Sequence, residues 1–470
     1  MRPRLLVAIL CLVPSFASAQ VASEGLAGLL PGLILRDVTL PSPPPGFFSH
    51  AAHFSPLSIN DPTNPAVEIV QAFNTQMVLQ LSTFPLGSSS GGFTYTFDPA
   101  VGTFSRASRS FGPAFAERAV TAGRGRFSAG INYQHLRFDS FEGRDLDDGS
   151  VRFYLRHQEC CSTVGPPVPP TFGVANQPNN TRLDPFFEGD VIETALALEA
   201  RSDTFVLFAN YGVTDRLDLG AAIPIVRVEL DAALEATILR LATLTTPIHA
   251  FESGNLAASQ RTFRAAGTAT GLGDIVVRSK YRVAGTPAAA IAAAVDLRLP
   301  TGDEDNLLGA GAQAKVYFIA SSSNERWGQH VNVGYTFAGG ELGAVSPLAA
   351  GGRIGEVPDE FNYTGGVEFV AESRLTIVGD LVGRVLRNAG RLEPQLKRFE
   401  FLAGGAPPAQ FVEFDEFSPR EGSLNLLLGT VGVKFNPRGN LLLSANVLFP
   451  LTKSGLRSRL GTVIGVDYAF

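Results

Sequence analysis

Ten charged residues recur on one face of short alternating segments, and they are the strongest candidates for chemistry in the chain. Charged side chains that face a common interior could set the selectivity of a pore, as charged rings do in channels. Mixed signs at neighbouring positions favour the alternative, mutual neutralisation within a polar interior. The candidate lumen-lining residues are Arg216, Asp218, Asp274, Arg278, Lys280, Arg282, Asp296, Arg298, Lys315 and Glu368.

No arrangement typical of catalysis or of metal binding is evident from the sequence. Cys160 and Cys161 are adjacent, and two thiols alone cannot complete a four-ligand zinc site. His50 and His53 lack an evident third ligand. The carboxylates of residues 303–305 could bind a hard cation, but a solvated acidic loop is the favoured interpretation. We expect no enzyme activity, no cofactor and no metal.

The composition excludes several classes of protein. The 470 residues are 45% hydrophobic and only 17% charged, with 49 Gly and 31 Pro. Disorder needs low hydrophobicity and high net charge, and a coiled coil would not tolerate this much Gly and Pro. The formal net charge of −6 disfavours a nucleic-acid partner, because phosphate binding needs a surplus of Lys and Arg.

The C-terminal segment alternates with a period of two, which is typical of a strand. Apolar or aromatic residues occupy the even positions from 460 to 470 except Thr462, and small or polar residues occupy most of the odd ones. A terminal strand that ends in Phe470, with Tyr468 two residues before it, resembles the membrane-insertion signature of bacterial outer-membrane barrels. The same alternation upstream predicts an apolar face towards lipid and a polar face towards a lumen.

The pattern predicts an all-β fold, a transmembrane antiparallel β-barrel of about 12 strands. Short turns at 212–215, 372–373 and 436–439 alternate with long connections at 226–273, 300–311, 338–361 and 385–423, as an outer-membrane barrel requires. Segment 190–211 is long enough for two strands. The predicted strands are 126–138, 190–211, 215–225, 274–283, 289–299, 312–320, 329–337, 362–371, 374–384, 424–435, 440–449 and 459–470.

The residues before the barrel divide into two parts. Residues 1–19 have the positive start, short apolar core and Ala-Ser-Ala end of a secretory signal peptide, with cleavage expected between Ala19 and Gln20. In residues 20–125, apolar residues at Val70, Phe73, Met77 and Leu81 fit a helix. This part is predicted to be an N-terminal periplasmic or plug-like segment. The alternative is a further hairpin of the wall, which would give 14 strands. The barrel itself is assigned to residues 126–470.

Three motifs together resemble the Gram-negative outer-membrane barrel family named for the meta-pathway of phenol degradation. They are Asn210–Gly220, Gly271–Ile275 followed by Lys280 and Tyr281, and Leu299–Asp303. In the last motif Pro300 ends a strand, and Gly302 supplies a turn that tolerates a positive φ. The resemblance covers roughly residues 190–470 and implies a transporter similar in kind to the long-chain fatty acid channels.

These observations predict a porin-like outer-membrane transporter for passive passage of small hydrophobic or aromatic compounds. The alternative is a structural or adhesive surface barrel without transport. Phenylalanines in one long loop could form a capture patch for hydrophobic ligands, or could pack over the barrel mouth; they are Phe401, Phe411, Phe414 and Phe417. The expected partners are outer-membrane lipid and lipopolysaccharide, the barrel-assembly machinery and a small hydrophobic solute. A monomer is expected.

Overall fold

The computed structural model describes most of the chain after residue 24. The described residues are 25–41, 65–83, 87–88, 92–98, 103–106, 108–156, 189–242, 249–286, 288–339, 357–401, 403 and 408–470. The predicted signal peptide, both histidines of the 50–53 region and the Cys160–Cys161 pair lie outside them.

The described residues form a β-barrel with a small helical part. In chain order the strands are β1 (Tyr95–Asp98), β2 (Thr103–Arg106), β3 (Phe127–Phe138), β4 (Ser140–Phe141), β5 (Arg144–Asp145), β6 (Val151–Arg156), β7 (Val191–Gly212), β8 (Leu217–Leu239), β9 (Gln260–Leu272), β10 (Val276–Gly285), β11 (Ala289–Arg298), β12 (Gln313–Ser323), β13 (Trp327–Ala338), β14 (Glu360–Glu372), β15 (Leu375–Leu386), β16 (Arg391–Phe401), β17 (Gln410–Arg420), β18 (Leu424–Arg438), β19 (Leu441–Pro450), β20 (Leu456–Arg457) and β21 (Gly461–Ala469). Twelve of these described strands pair antiparallel in the order β7-β3-β21-β19-β18-β15-β14-β13-β12-β11-β10-β8, and β8 pairs with β7 to close the barrel. Each predicted strand corresponds to one of them, and segment 190–211 is a single strand. The predicted fold class is confirmed.

Side chains alternate between the two faces of the barrel wall. In β21, Ile464 and Val466 are 55% and 39% exposed, whereas Val463 and Asp467 are buried. Large apolar side chains on the other strands, such as Phe318 of β12, are exposed in the same way. Together they form an outward apolar belt, which is the surface that a transmembrane barrel presents to lipid.

The two ends of the barrel differ in the length of their connections. The turn end carries the short connections 213–216, 324–326, 373–374 and 439–440, and the chain finishes there at Phe470. The loop end carries the connections 299–312, 387–423 and 451–460. This asymmetry is the one predicted from the sequence.

Strands β7 and β8 extend at the loop end well beyond the other strands of the barrel wall. They contain 22 and 23 residues, about 70 Å at roughly 3.3 Å per residue, whereas about 9–11 residues span a bilayer. Their lower parts pair with β3 and β10, and their upper parts pair with β6 and β9. The predicted long loops at 226–273 and 385–423 therefore contain strands, namely the end of β8, β9, and the hairpin of β16 and β17.

Residues 20–125 contribute no strand to the wall in the part that the structure describes. Strands β1 and β2 pair with each other, and the two strands that extend the barrel sheet, β6 and β9, come from elsewhere in the chain. The alternative of a 14-stranded wall with an N-terminal hairpin is therefore not what the structure shows.

Two helical segments fill the loop end. The segment α1 comprises three short turns, Leu26–Gly28, Leu29–Pro31 and Gly32–Asp37, and helix α2 spans Pro65–Ser82. The predicted helical face is confirmed. Phe73 of that face is fully buried, and its ring centroid lies 4.6 Å from that of Phe141 and 5.5 Å from that of Phe153. Helix α2 packs on β6, β16, β17 and β20, and α1 packs on β9. Among the described residues, none of the helices is both long and apolar enough to cross a membrane.

Candidate functional site

Residues 108–122, here called the threading segment, lie within the barrel as irregular chain. A buried main chain without regular structure needs partners for its N–H and C=O groups. Asp380 on β15 accepts from the N–H groups of residues 114–116 at 2.9, 3.3 and 3.3 Å. Asn332 on β13 binds both main-chain groups of Glu117, accepting from N at 2.7 Å and donating to O at 3.1 Å. Wall side chains thus replace the strand pairing that the segment lacks.

Two wall lysines bind the carbonyl groups of the same segment. Lys434 on β18 donates to the carbonyl oxygen of Pro113 at 2.7 Å. Lys280 on β10 donates to that of Val120 at 3.1 Å, and its ammonium lies 3.4 Å from the carboxylate of Asp218. Wall charges of both signs are therefore engaged in positioning one stretch of main chain.

Ser110, Arg118, His330 and Glu368 form a group here called the Arg118 cluster. It contains the most buried ion pair between the threading segment and the wall. Nη2 of Arg118 lies 3.0 Å from each carboxylate oxygen of Glu368, and the two side chains are 2% and 1% exposed. Glu368 also accepts from Ser110 Oγ at 2.8 Å and contacts His330 Nε2 at 3.0 Å. The other ring nitrogen of His330 lies 2.9 Å from Ser321 Oγ.

Ser321, His330 and Glu368 contact one another in the order of a hydrolytic triad, and the threading segment engages two of the three side chains. Ser321 Oγ accepts from the main-chain N–H of Ala119 at 2.9 Å, so the threading segment covers the hydroxyl. Arg118 binds the carboxylate that would orient the imidazole. A triad nucleophile needs an open approach for its substrate, and this hydroxyl is engaged by the protein's own chain.

Arg278 is the second ionic link between wall and threading segment. Its Nε and Nη2 lie 2.6 and 2.5 Å from the two oxygens of Asp296, a bidentate arrangement that suits a guanidinium. Its Nη1 pairs with Glu117 of the threading segment. The Tyr317 hydroxyl also donates to Asp296 at 3.2 Å. Both oxygens of Asp296 are therefore engaged.

A polar cavity of about 120 Å³ lies in mid-lumen between the threading segment and the end of α2. Thr83 borders it on the side of α2, and Phe115 borders it on the side of the threading segment. The wall contributes four cations, Arg278, Arg298, Lys315 and Arg384. The cavity has room for several water molecules or for a small organic molecule.

The ten candidate lumen residues do not form one ladder. Asp218, Asp274, Lys280, Asp296 and Glu368 are buried, Arg278, Arg282, Arg298 and Lys315 are half-buried, and Arg216 is exposed. Four of them line the cavity: Arg278, Asp296, Arg298 and Lys315. Asp218, Lys280 and Glu368 bind the threading segment. Arg216 and Arg282 lie at the turn end.

Asp274 does not line the cavity, because it anchors the connection 299–312 at the loop end. Its carboxylate accepts from the N–H groups of Gly302 at 3.0 Å and Ala310 at 2.8 Å. Thr301 Oγ1 donates to the carbonyl oxygen of Gly273 at 2.8 Å. Two of the motifs that carry the family resemblance are thus joined by hydrogen bonds in the fold.

Gly302 does not adopt the positive φ that a glycine tolerates. Among the described residues of this loop, Leu307 and Gly311 have positive φ values, of 63° and 77°. Glycine is required at 302 by close packing instead: a Cβ there would lie 2.6 Å from the carbonyl oxygen of Leu308.

We expect Asp274→Ala to release the connection 299–312. The loss of two buried acceptor contacts should cost about 1–3 kcal/mol, which corresponds to about 5- to 150-fold faster protease cleavage within this connection if local opening controls cleavage. Limited proteolysis of the folded barrel measures the rate. The matched control is Asp305→Asn, an exposed acid of the same connection. Equal rates in the two variants would show that Asp274 is not the anchor.

Several residues of this site were missed by sequence reasoning, among them Arg118, Asn332, Asp380 and Lys434. Asp380 and Lys434 stand as isolated charged residues within apolar alternation, in strands that were predicted correctly. That signal could have placed them in the lumen. Arg118 lies in irregular chain, where no periodicity indicates which way a side chain points.

The loop phenylalanines support ordinary packing rather than a capture patch. Phe401, Phe414 and Phe417 are 7%, 3% and 1% exposed. The ring of Phe414 stacks on that of Tyr154 with centroids 4.3 Å apart. Phe411 alone of the four is exposed, at 56%.

Within the described part of the chain, no group of three or more His, Cys, Asp or Glu side chains is arranged to hold a metal ion. Of the acidic residues of the 303–305 run, Asp303 accepts from the side chain of Asn306 at 2.8 Å, and Asp305 has an exposed side chain.

Comparison with solved structures finds barrels of outer-membrane proteins. The COG4313 outer membrane channel from Pseudomonas putida F1 is 12% identical, with 75% of this chain and 98% of that chain covered and a TM-score of 0.41. A Pseudomonas aeruginosa FadL homologue is 11% identical, with coverage of 74% and 90% and a TM-score of 0.30. The CymD monoaromatic hydrocarbon channel is 9% identical, with coverage of 74% and 89% and a TM-score of 0.25.

Comparison with curated proteins finds no match. A family model described as "Putative MetA-pathway of phenol degradation" matches residues 187–345. The matched range begins just before β7 and ends just after β13, and it contains the motif pair that Asp274 joins. The resemblance inferred from the sequence is confirmed over these residues, which carry the pattern of the phenol-degradation MetA-pathway family.

Proposed function

We propose that the protein is an outer-membrane channel for the passive passage of small hydrophobic or aromatic compounds. The outward apolar belt supports a membrane location, since a band of large exposed apolar side chains is stable only against lipid. In outer-membrane barrels the short turns lie in the periplasm and the longer loops lie outside. The turn end is therefore assigned to the periplasm.

Residues 20–125 act in this proposal as a plug. One observation carries the channel function: the threading segment fills the lumen but is held there by side chains rather than by strand pairing. Side-chain hydrogen bonds can be exchanged for bonds to water one at a time, whereas a paired strand must leave as a unit. A wall that keeps its own complete pairing around such a segment can stay closed as a barrel while the segment moves.

The belt implies the partners of the barrel in the membrane. Outer-membrane lipid and lipopolysaccharide would contact the apolar side chains. The barrel would act as a monomer, and the solute would pass through its lumen when the lumen opens. The described lumen offers no reacting group with free access, so we propose no enzymatic step.

The chain's C-terminal aromatic residue is proposed as the recognition element for barrel assembly. Phe470 is 61% exposed, and its ring centroid lies 4.8 Å from that of Tyr468 and 5.4 Å from that of Phe127. Phe470→Ala should lower the fraction of heat-modifiable, folded protein in the outer membrane several-fold, with little effect on the stability of the protein that does fold. Phe318→Ala removes an equally exposed belt residue (64%) and serves as the control. Equal losses in both variants would point to general lipid contact rather than recognition.

The function is tested by uptake in cells whose intact lipopolysaccharide excludes hydrophobic solutes. Expression of the full chain should raise the initial rate of uptake of a radiolabelled monoaromatic hydrocarbon above that of cells without it. The same cells expressing Phe318→Ala, which leaves the lumen intact, should take the solute up equally fast per folded barrel.

A structural or surface-binding role is the second candidate, and one observation favours it. The β7–β8 hairpin and its flanking strands β6 and β9 rise beyond the span that a bilayer needs, which gives the protein a tall surface at the loop end. Folded barrel in the outer membrane without any rise in aromatic uptake would support this role and contradict the channel.

A further inference from the structure

The mid-lumen cavity carries two cations that form no salt bridge among the described residues. Among the described residues, Lys315 makes no salt bridge or hydrogen bond, and its ammonium lies 4.8 Å from the centroid of the Tyr317 ring. The guanidinium of Arg298 has one contact, with the carbonyl oxygen of Ser82 at 3.5 Å. Both side chains line the cavity.

The nearest acids are already engaged. Asp296 lies directly opposite Lys315 in the pairing of β11 with β12, but the guanidinium of Arg278 occupies both of its oxygens. Glu360 pairs with Arg384 through both of its oxygens. Asp274, the acid that acts most strongly on Arg298, accepts from the N–H groups of Gly302 and Ala310 and does not line the cavity. Neither Lys315 nor Arg298 therefore forms a salt bridge with a carboxylate among the described residues.

The charge balance of the cavity is positive. Its cations are Arg278, Arg298, Lys315 and Arg384, and its acids are Glu117, Asp296 and Glu360. These lining groups, four positive and three negative, have a net charge of +1, and the two cations among them that form no salt bridge are Lys315 and Arg298. In the register of β11 and β12, Arg298 pairs with Gln313, so Lys315 is its diagonal neighbour, about 7–8 Å away. A carboxylate can lie between two cations at that spacing.

The rest of the lining suits the carbon skeleton of a small acid. The lining includes the apolar and aromatic side chains of Phe115, Tyr317 and Val382, together with amide and hydroxyl groups. Small-molecule sites typically combine such apolar surface with a few convergent polar groups.

We propose that this cavity is a binding subsite for a small organic carboxylate, with Lys315 and Arg298 as its charge partners. The inference deepens the proposed channel function: among aromatic compounds, those that carry a carboxylate are retained in mid-lumen on their way through the barrel. The wall acids are held by Arg278 and Arg384, so the site stays open to an external anion.

Equilibrium dialysis of the full mature chain, folded in detergent, against radiolabelled benzoate tests the proposal. Dialysis to equilibrium reports binding whether or not the threading segment slows access. Benzoate should bind in one site per barrel, benzyl alcohol should compete at least tenfold less well, and Arg298→Gln/Lys315→Gln should weaken benzoate binding more than tenfold. The matched control, Arg326→Gln/Arg438→Gln, removes two exposed cations at the short turns and should bind benzoate like the parent chain.

Single variants keep the test decisive if the double variant folds poorly. Lys315→Gln removes no salt bridge and should fold normally while weakening binding, and Lys315→Arg should restore it. The proposal is overturned if benzoate does not bind, if it binds the Lys315 variants as tightly as the parent, or if chloride at an equal concentration displaces it fully. Aromatic uptake without benzoate binding would contradict this subsite alone, whereas benzoate binding without uptake would contradict the channel function alone.

Discussion

Replacing residues 109–122 by an alternating Gly-Ser sequence of equal length is expected to raise single-channel conductance several-fold. The replacement keeps helix α2 joined to the barrel, so the apolar packing at the loop end is unchanged. It removes the anchored Glu117 and Arg118 side chains and the rigid backbone that Asp380 and Lys434 bind. A flexible Gly-Ser chain should leave the lumen open for much of the time. Planar-bilayer recordings of the refolded protein measure the current steps.

The control for this experiment is the folded fraction of each protein, which must be equal for their conductances to be compared. Heat-modifiable gel mobility should show the same folded fraction for the parent and the Gly-Ser chain, because the wall strands pair without the threading segment. Equal and very small conductance in both folded proteins would show that the threading segment does not close the lumen. A failure of the Gly-Ser chain to assemble would instead make these residues part of the barrel's folding core.

Arg118→Met is expected to cause the largest loss of stability that a single substitution in the lumen can produce. It leaves the carboxylate of Glu368, 1% exposed, buried without its cation, and breaking such a pair costs about 3–5 kcal/mol. The barrel can relieve this cost by letting the threading segment move so that water reaches Glu368. We therefore expect a higher open probability together with a lower melting temperature.

A double-mutant cycle separates the ion pair from side-chain packing. Arg118→Met combined with Glu368→Gln should recover much of the loss, because no unpaired charge remains. Arg137→Met breaks an exposed pair with Asp147, with side chains 49% and 46% exposed, and should cost only about 0–1 kcal/mol. If Arg118→Met and Arg137→Met have the same effect on melting and on opening, the Arg118 cluster does not hold the threading segment.

The wall of the barrel was predictable because lipid on one side and a polar lumen on the other impose a period of two. That period identifies a strand such as β13 from Val331, Val333 and the polar residues between them. The period weakens where a strand leaves the membrane. For this reason the sequence pattern predicts a loop where the structure has β9 and the end of β8. Strand β9 is rich in Ala, Gly and Thr.

The candidate site was predictable in its components but not in its arrangement. Alternation indicated the lumen face of Arg278, Asp296 and Lys315, but it could not show that one guanidinium occupies the acid opposite the lysine. The position of Asp274 was likewise inferred without its partners, because they lie in a connection that folds back on the wall. Irregular chain such as the threading segment is specified by these partners and not by any local pattern.

The central claim is that mid-lumen is part of a solute path, and thiol modification at Lys315 tests it most directly. In a chain with Cys160 and Cys161 replaced by Ser, Lys315→Cys places a thiol in the cavity, and Phe318→Cys places one on the outward face of the same strand. A membrane-impermeant methanethiosulfonate reagent added to a bilayer should block the current of the Lys315→Cys barrel irreversibly from either side and leave the Phe318→Cys barrel unaffected. A current through the Lys315→Cys barrel that persists unchanged after the reagent would contradict a path through this lumen.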